Sequence, residues 1–107
     1  MVELILILIW VHFFADFILQ SDYIAINKSK SVVVLAIHCM LYAVCFIPFG
    51  LDFALATGLA HFLVDFFTSR LSAKLYQMDE RHSVFVTIGF DQAIHLSALI
   101  AAAVLFQ

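Results

Sequence analysis

Four apolar runs divide the chain, at about 2–19, 32–48, 53–69 and 84–106, and every one is interrupted by an imidazole or a carboxylate. Each run is roughly 17–23 residues long. As a helix rising 1.5 Å per residue, that matches a hydrocarbon core about 30 Å thick. The runs are continuous, not blocks of about ten alternating residues, so a closed barrel is disfavoured. Helices are the other way for a backbone in lipid to satisfy its own N–H and C=O groups. Composition agrees. The 107 residues are 65% apolar and 12% charged, with a mean hydropathy of +1.11, whereas an average soluble chain is about a quarter charged. The sequence predicts an all-α fold, a bundle of four transmembrane helices in a single integral membrane domain, 1–107.

The connections carry the remaining polarity. The first, from Gln20 to Ser31, holds Asp22, Asn27, Lys28 and Lys30; the third, from Arg70 to Ser83, holds Lys74, Asp79, Glu80, Arg81 and a solvated His82. Between them Pro48-Phe49-Gly50 stops the second run, and Asp52 is placed to cap the third helix. All five Lys and Arg residues lie in the first and third connections. By the positive-inside rule, loops 20–31 and 70–83 are cytoplasmic and both termini lie outside, in a multi-pass protein of the cell (inner) membrane with the lipid bilayer as its main partner. So few basic residues exclude a nucleic-acid-binding face. Glu3 is the only early charge and no small-residue cleavage site follows Leu19, so the first run reads as a retained helix, not a signal peptide. Cys39 and Cys45 would point in different directions on one helix, which reads as small apolar filling and not a disulfide.

Within the runs the ionisable residues are ordered. His12-Phe13-Phe14-Ala15-Asp16-Phe17 and His61-Phe62-Leu63-Val64-Asp65-Phe66 share the pattern H-F-x-x-D-F, which suggests two repeated helical hairpins related by an axis along the membrane normal. In both, the helix runs inward and the His precedes the Asp. In the last run the helix runs outward and the order reverses to Asp91, then His95. His38 enters from the cytoplasmic side. The topology therefore collects three Asp roughly 6–10 Å, and four His roughly 10–16 Å, inside the cytoplasmic boundary. Spacing of i, i+4 puts each pair on one helix face.

Such groups need compensation. One Asp at the centre of a membrane helix costs about 2.5–3.5 kcal/mol on insertion scales. A purely structural network of His–Asp hydrogen bonds returns only about 0.6 kcal/mol per bond on average. A metal site compensates more fully, and its candidate ligands are His12, Asp16, His38, His61, Asp65, Asp91 and His95. Neutral imidazole with carboxylate suits zinc or manganese, and also iron. Seven ligands exceed what one ion takes. Two divalent ions against three carboxylates leave a single positive charge that one hydroxide would neutralise, so two ions are expected. Two-metal sites activate water and clamp phosphoryl groups.

The first functional reading is a metal-dependent hydrolase of a lipid or phosphoester, opening toward the cytoplasmic leaflet. One of Asp16, Asp65 and Asp91, off the metal, would serve as base. Arg70, one turn beyond Asp65, is placed for a phosphate, and Gln20, one turn beyond Asp16, for substrate or for orienting that Asp. Gln92 points about 100° from Asp91 and is at best a supporting residue. Gly58, one turn before His61, would let a neighbouring helix approach closely. The competing reading is metal-ion or proton binding and transport through an acid–imidazole chain, against which the outer half offers no polar step. An oligomeric pore and a packing network without catalysis are the remaining alternatives.

The combination His12-x-x-x-Asp16-Phe17-x-Leu19-Gln20, Asn27-Lys28-Ser29-Lys30, His38, His61-Phe62-x-x-Asp65 and Asp91-Gln92-x-x-His95 resembles a family of small bacterial and phage integral membrane proteins known only as a domain of unknown function. The resemblance covers nearly the whole chain and implies no activity. A looser resemblance, to membrane-bound metal-dependent hydrolases with His and Asp in short transmembrane helices, implies the metal-hydrolase reading. Those proteins have more helices, so a homo-oligomer or a partner membrane protein is implied to complete the walls.

Overall fold

Val2–Phe13, an unbroken apolar run with Glu3 in its first turn, forms α1. A carboxylate there opposes the positive end of the helix dipole. The computed structural model describes residues 1–107 as five α-helices with no strand. At Phe14–Ile18 the backbone widens into one π-helical turn, closed by the Leu19 N–H donating to the Phe14 carbonyl at 3.0 Å. The first polar connection is not all loop. Ser21 accepts a hydrogen bond from the Ile24 N–H and caps α2, Asp22–Asn27, and Ser31 accepts from the Val34 N–H and caps α3, Val32–Cys45.

A 3₁₀ turn at Ile47–Phe49 contains Pro48, whose missing N–H ends the α-helical ladder. Gly50 follows at φ +119°, where a Cβ would also lie 2.9 Å from Asp52 Oδ1. α4, Leu51–Gln77, and α5, Arg81–Phe106, form a long hairpin, turning at Asp79 with φ 59°. Asp52 lies inside the first turn of α4 and makes no capping hydrogen bond across it. It bonds the neighbouring Phe53 N–H at 2.9 Å, which corrects the expected cap.

Only α4 and α5 are long and apolar enough to cross a membrane, two helices where four were expected. α3 ends at Cys45, three residues short of the expected 48, because the Pro48 turn closes it. Its 14 residues span about 21 Å. α1 loses α geometry after Phe13. Conversely α4 extends through Gln77, beyond the expected 69, so Arg70 is inside the helix and Lys74 lies in its last turn, where a cation is favoured by the dipole.

The bundle is polar inside and apolar outside over much of its length. On α4, Leu51, Leu55, Leu59, Leu63, Phe67 and Leu71 recur every fourth residue and all face outward, while Thr57, His61, Asp65 and Thr68 are buried. α3 and α4 approach closely at Gly58, where a Cβ would stand 2.8 Å from the Ala43 Cβ. This is the close contact that a glycine permits. The end of the bundle near the 3₁₀ turn is filled by Leu8, Tyr42, Phe46, Phe53, Leu99 and Ala103, and the Gln107 amide reaches across it to the Phe49 carbonyl.

Candidate metal centre

All seven expected residues are buried, each 9% exposed or less. They come from five segments, with His12 in the last turn of α1. The π turn turns Ala15 and Asp16 inward and leaves Phe17 and Ile18 outside. α3 contributes His38, α4 His61 and Asp65, and α5 Asp91 and His95.

Four of these converge on one point. His38 Nε2 lies 3.0 Å from His61 Nε2, 3.1 Å from Asp16 Oδ1 and 3.5 Å from Asp65 Oδ2. His61 Nε2 lies 3.3 Å from Asp16 Oδ1 and 3.5 Å from Asp65 Oδ2. One imidazole N–H cannot serve three partners, and two Nε2 atoms at 3.0 Å share at most one proton between them if neither ring is cationic. Four donors held about 2.0–2.2 Å from a zinc-sized ion in tetrahedral array would lie roughly 3.3–3.6 Å apart. Five of the six separations, at 3.0–3.5 Å, approach that spacing, so the donor set fits one divalent cation. A second grouping, Asp16 with Asp91 and His95, is also within metal-binding distance, and His95 Nε2 stands 3.1 Å from Asp91 Oδ1 and 3.3 Å from Asp65 Oδ1.

His12 is placed differently. Its two ring nitrogens are already engaged: the Tyr42 hydroxyl is 2.8 Å from Nδ1, and Gln92 Oε1 is 2.7 Å from Nε2. An amide oxygen only accepts, so His12 donates from Nε2, and Nδ1 accepts from Tyr42. The Gln92 amide nitrogen then donates to Asp16 Oδ2 at 3.2 Å and Asp91 Oδ2 at 3.1 Å. The chain of bonds thus runs in one direction, from Tyr42 through His12 and Gln92 to two carboxylates. Gln92 ties the carboxylates together, which is more than the supporting place expected from its angle to Asp91. His61 is held flat between the Tyr42 and His95 rings, with centroids 4.0 Å away on each side.

A cleft of about 560 Å³ leads to this centre. Asp16, Asp65 and Asp91 reach its lining, and none of the four His does, so the carboxylates face the opening with the imidazoles behind them. Gln20 lines the cleft, as its position one turn beyond Asp16 suggested. Arg70 does not. Its guanidinium donates to the Phe66 carbonyl at 3.0 Å and lies 3.9 Å over the Phe66 ring. The cation at the carboxylates is Lys28, whose Nζ is 2.9 Å from Asp65 Oδ2. Thr68 also joins the site, with its hydroxyl 2.5 Å from Asp91 Oδ1. Sequence signals existed for some of these residues: Tyr42 is four residues after His38, Thr68 three after Asp65, and Gln92 three before His95, each on the face of a site residue.

The chain belongs to the DUF3307 family, whose model, described as a protein of unknown function, matches residues 4–107. No curated protein and no solved structure matches it.

Proposed function

We propose that this DUF3307 protein is a membrane-embedded, metal-dependent hydrolase of a lipid or phosphoester. The observation that carries the reading is the convergence of His38 Nε2, His61 Nε2, Asp16 Oδ1 and Asp65 Oδ2 at 3.0–3.5 Å at the bottom of a cleft. Charge supports one ion in preference to two. Three carboxylates, the Lys28 ammonium and one divalent cation sum to zero with neutral imidazoles, and Lys28 was missing from the sequence-based count. Zinc or manganese suits the donors.

The bilayer is the solvent that explains outward-facing Leu and Phe around buried Asp and His. In this reading α4 and α5 cross it, α1 and α3 complete the same domain beside them, and the cleft opens toward the cytoplasm with the termini outside. Lys28, Lys30, Arg70, Lys74 and Arg81 favour that orientation.

When bound, the metal supplies Lewis acidity toward water and the scissile group. Asp91 is outside the four converging donors and lines the cleft. It accepts the proton from the attacking water, with His95 at 3.1 Å and Thr68 fixing its position. Gln92 holds Asp91 at a set distance from Asp16. Water adds across the ester bond, and the products are an alcohol and an acid. Ion transport is disfavoured because the opposite end is filled by Leu8, Phe46, Phe53 and Leu99, and the Thr57 hydroxyl buried there is spent on the Phe53 and Ala54 carbonyls.

The test is metal analysis of the full chain purified without chelator, with flux measured in liposomes. About one ion per chain, lost in Asp65→Ala and without flux, supports the reading; content under about a tenth of an ion, or metal-coupled flux, rejects it.

A further inference from the structure

The cleft has a chemistry of its own beyond the Asp16, Asp65 and Asp91 carboxylates that reach its lining. Lys28 and Lys30 are the cations in its lining. Lys28 spends one N–H on Asp65, and an ammonium has three to give. Its side chain is only 16% exposed, held at the opening by the turn that follows α2. Ser29, Ser69 and Ser72 share the lining, and Ser69 Oγ is buried with no hydrogen-bond partner. Phe17, Ile26, Val84 and Ile88 form the apolar part of its wall.

With one divalent ion the carboxylate floor and Lys28 are neutral, and Lys30 leaves the cleft with a net positive charge. Unused N–H and O–H donors beside a positive charge suit a tetrahedral oxyanion, and the wall suits a hydrocarbon portion. We propose that the cleft binds the phosphate group of a phosphate ester, with Lys28 Nζ as its principal contact and Ser69 Oγ as a second donor. The inference rests on the metal-hydrolase reading and narrows its substrate from a lipid or phosphoester to a phosphate ester. The phosphate would come from a lipid headgroup or from a soluble phosphate ester.

The test uses the full chain in detergent, loaded with zinc, and measures zinc content and the binding of inorganic phosphate on the same sample. Wild type is expected to bind phosphate one to one. Lys28→Met is expected to lower phosphate affinity at least about tenfold while zinc is kept or bound several-fold more tightly, because a neighbouring positive charge has gone. A merely structural Lys28 would not give that opposed pair of changes. Arg70→Met, off the cleft, should leave phosphate affinity unchanged. Competition distinguishes the sources: phosphatidic acid in nanodiscs displaces phosphate if the group comes on a lipid, glycerol phosphate if it comes on a soluble ester. Phosphate affinity unchanged in Lys28→Met, or zinc bound with no phosphate affinity, overturns this inference alone. No bound zinc overturns the metal reading and this one together.

Discussion

The string H-F-x-x-D-F occurs twice, and its two copies lie in different backbones. His61 and Asp65 sit in the uninterrupted α4. His12 lies in the last turn of α1, and Asp16 lies in the π turn that follows. The two aspartates nevertheless play alike, since each brings one oxygen to the same point. The two histidines do not. His61 Nε2 faces both carboxylates, at 3.3 and 3.5 Å. His12 Nε2 is 3.8 Å from Asp16 and is engaged by Gln92 instead. Identical strings acquired unlike roles because the neighbours differ. Tyr42 stacks on the ring of His61 but bonds the edge of His12, so one tyrosine fixes the orientation of both.

The largest effect should come from separating these histidines. His61→Ala removes one of four converging donors and should abolish stoichiometric metal, an affinity loss well beyond about a hundredfold. His12→Ala leaves the four donors in place and loosens Gln92, which should cost about 10–100-fold, the range seen for groups that orient ligands. Zinc titration with a competing chelator reads both. Equal losses would mean that His12 is a ligand too, and the copies would be equivalent after all.

The second test concerns how closely each copy is approached. Gly58 precedes His61 by three residues, and Ile9 precedes His12 by the same step. Only the glycine copy allows a neighbour so near, with Ala43 Cβ 2.8 Å from where a Cβ would stand. Gly58→Leu should destabilise the protein by about 1–3 kcal/mol through overpacking, read by denaturation in detergent. Gly89→Ala, with nothing within 4 Å of the new Cβ, is the control. Equal stability of the two variants would show that the α3–α4 approach at Gly58 yields freely.

Much of this is legible in the sequence. Apolar runs gave the helical class, and opposed helix directions gave an expected meeting of all seven His and Asp residues, six of which fall in the two candidate ligand groups while His12 is engaged by Gln92 and Tyr42. Periodicity does not see what interrupts a helix through hydrogen bonding. The π turn at Phe14–Ile18 is closed by the Leu19 N–H on the Phe14 carbonyl and the early stop at Cys45 comes from the Pro48 turn, and both shortened helices that hydropathy had drawn at full length. Lys28 was read as a marker of topology because it lies in a polar connection; only the fold of α2 and the turn after it brings its ammonium to Asp65. That single placement changed the charge count and, with it, the expected number of ions. Arg70 showed the converse. It lies one turn from Asp65 in sequence, yet its guanidinium finds the Phe66 carbonyl and ring nearer than the cleft.

The smallest expected effect belongs to the residue that the two copies share. Tyr42→Phe deletes the hydroxyl that donates to His12 Nδ1 and keeps the ring that stacks on His61. His12 would retain its bond to Gln92, so the carboxylates keep their spacing, but Nδ1 becomes a buried acceptor without a partner. That should cost about 1 kcal/mol of stability, within the range for one lost hydrogen bond, and only a few-fold in metal affinity, below the loss from His12→Ala. Tyr42→Ala removes the stacked ring as well and should cost several times more, because the buried ring also packs against Phe46. If Tyr42→Phe instead matched His61→Ala in metal loss, the hydroxyl would be acting on the converging donors directly. The division of labour between the two histidines would then have to be redrawn around Tyr42.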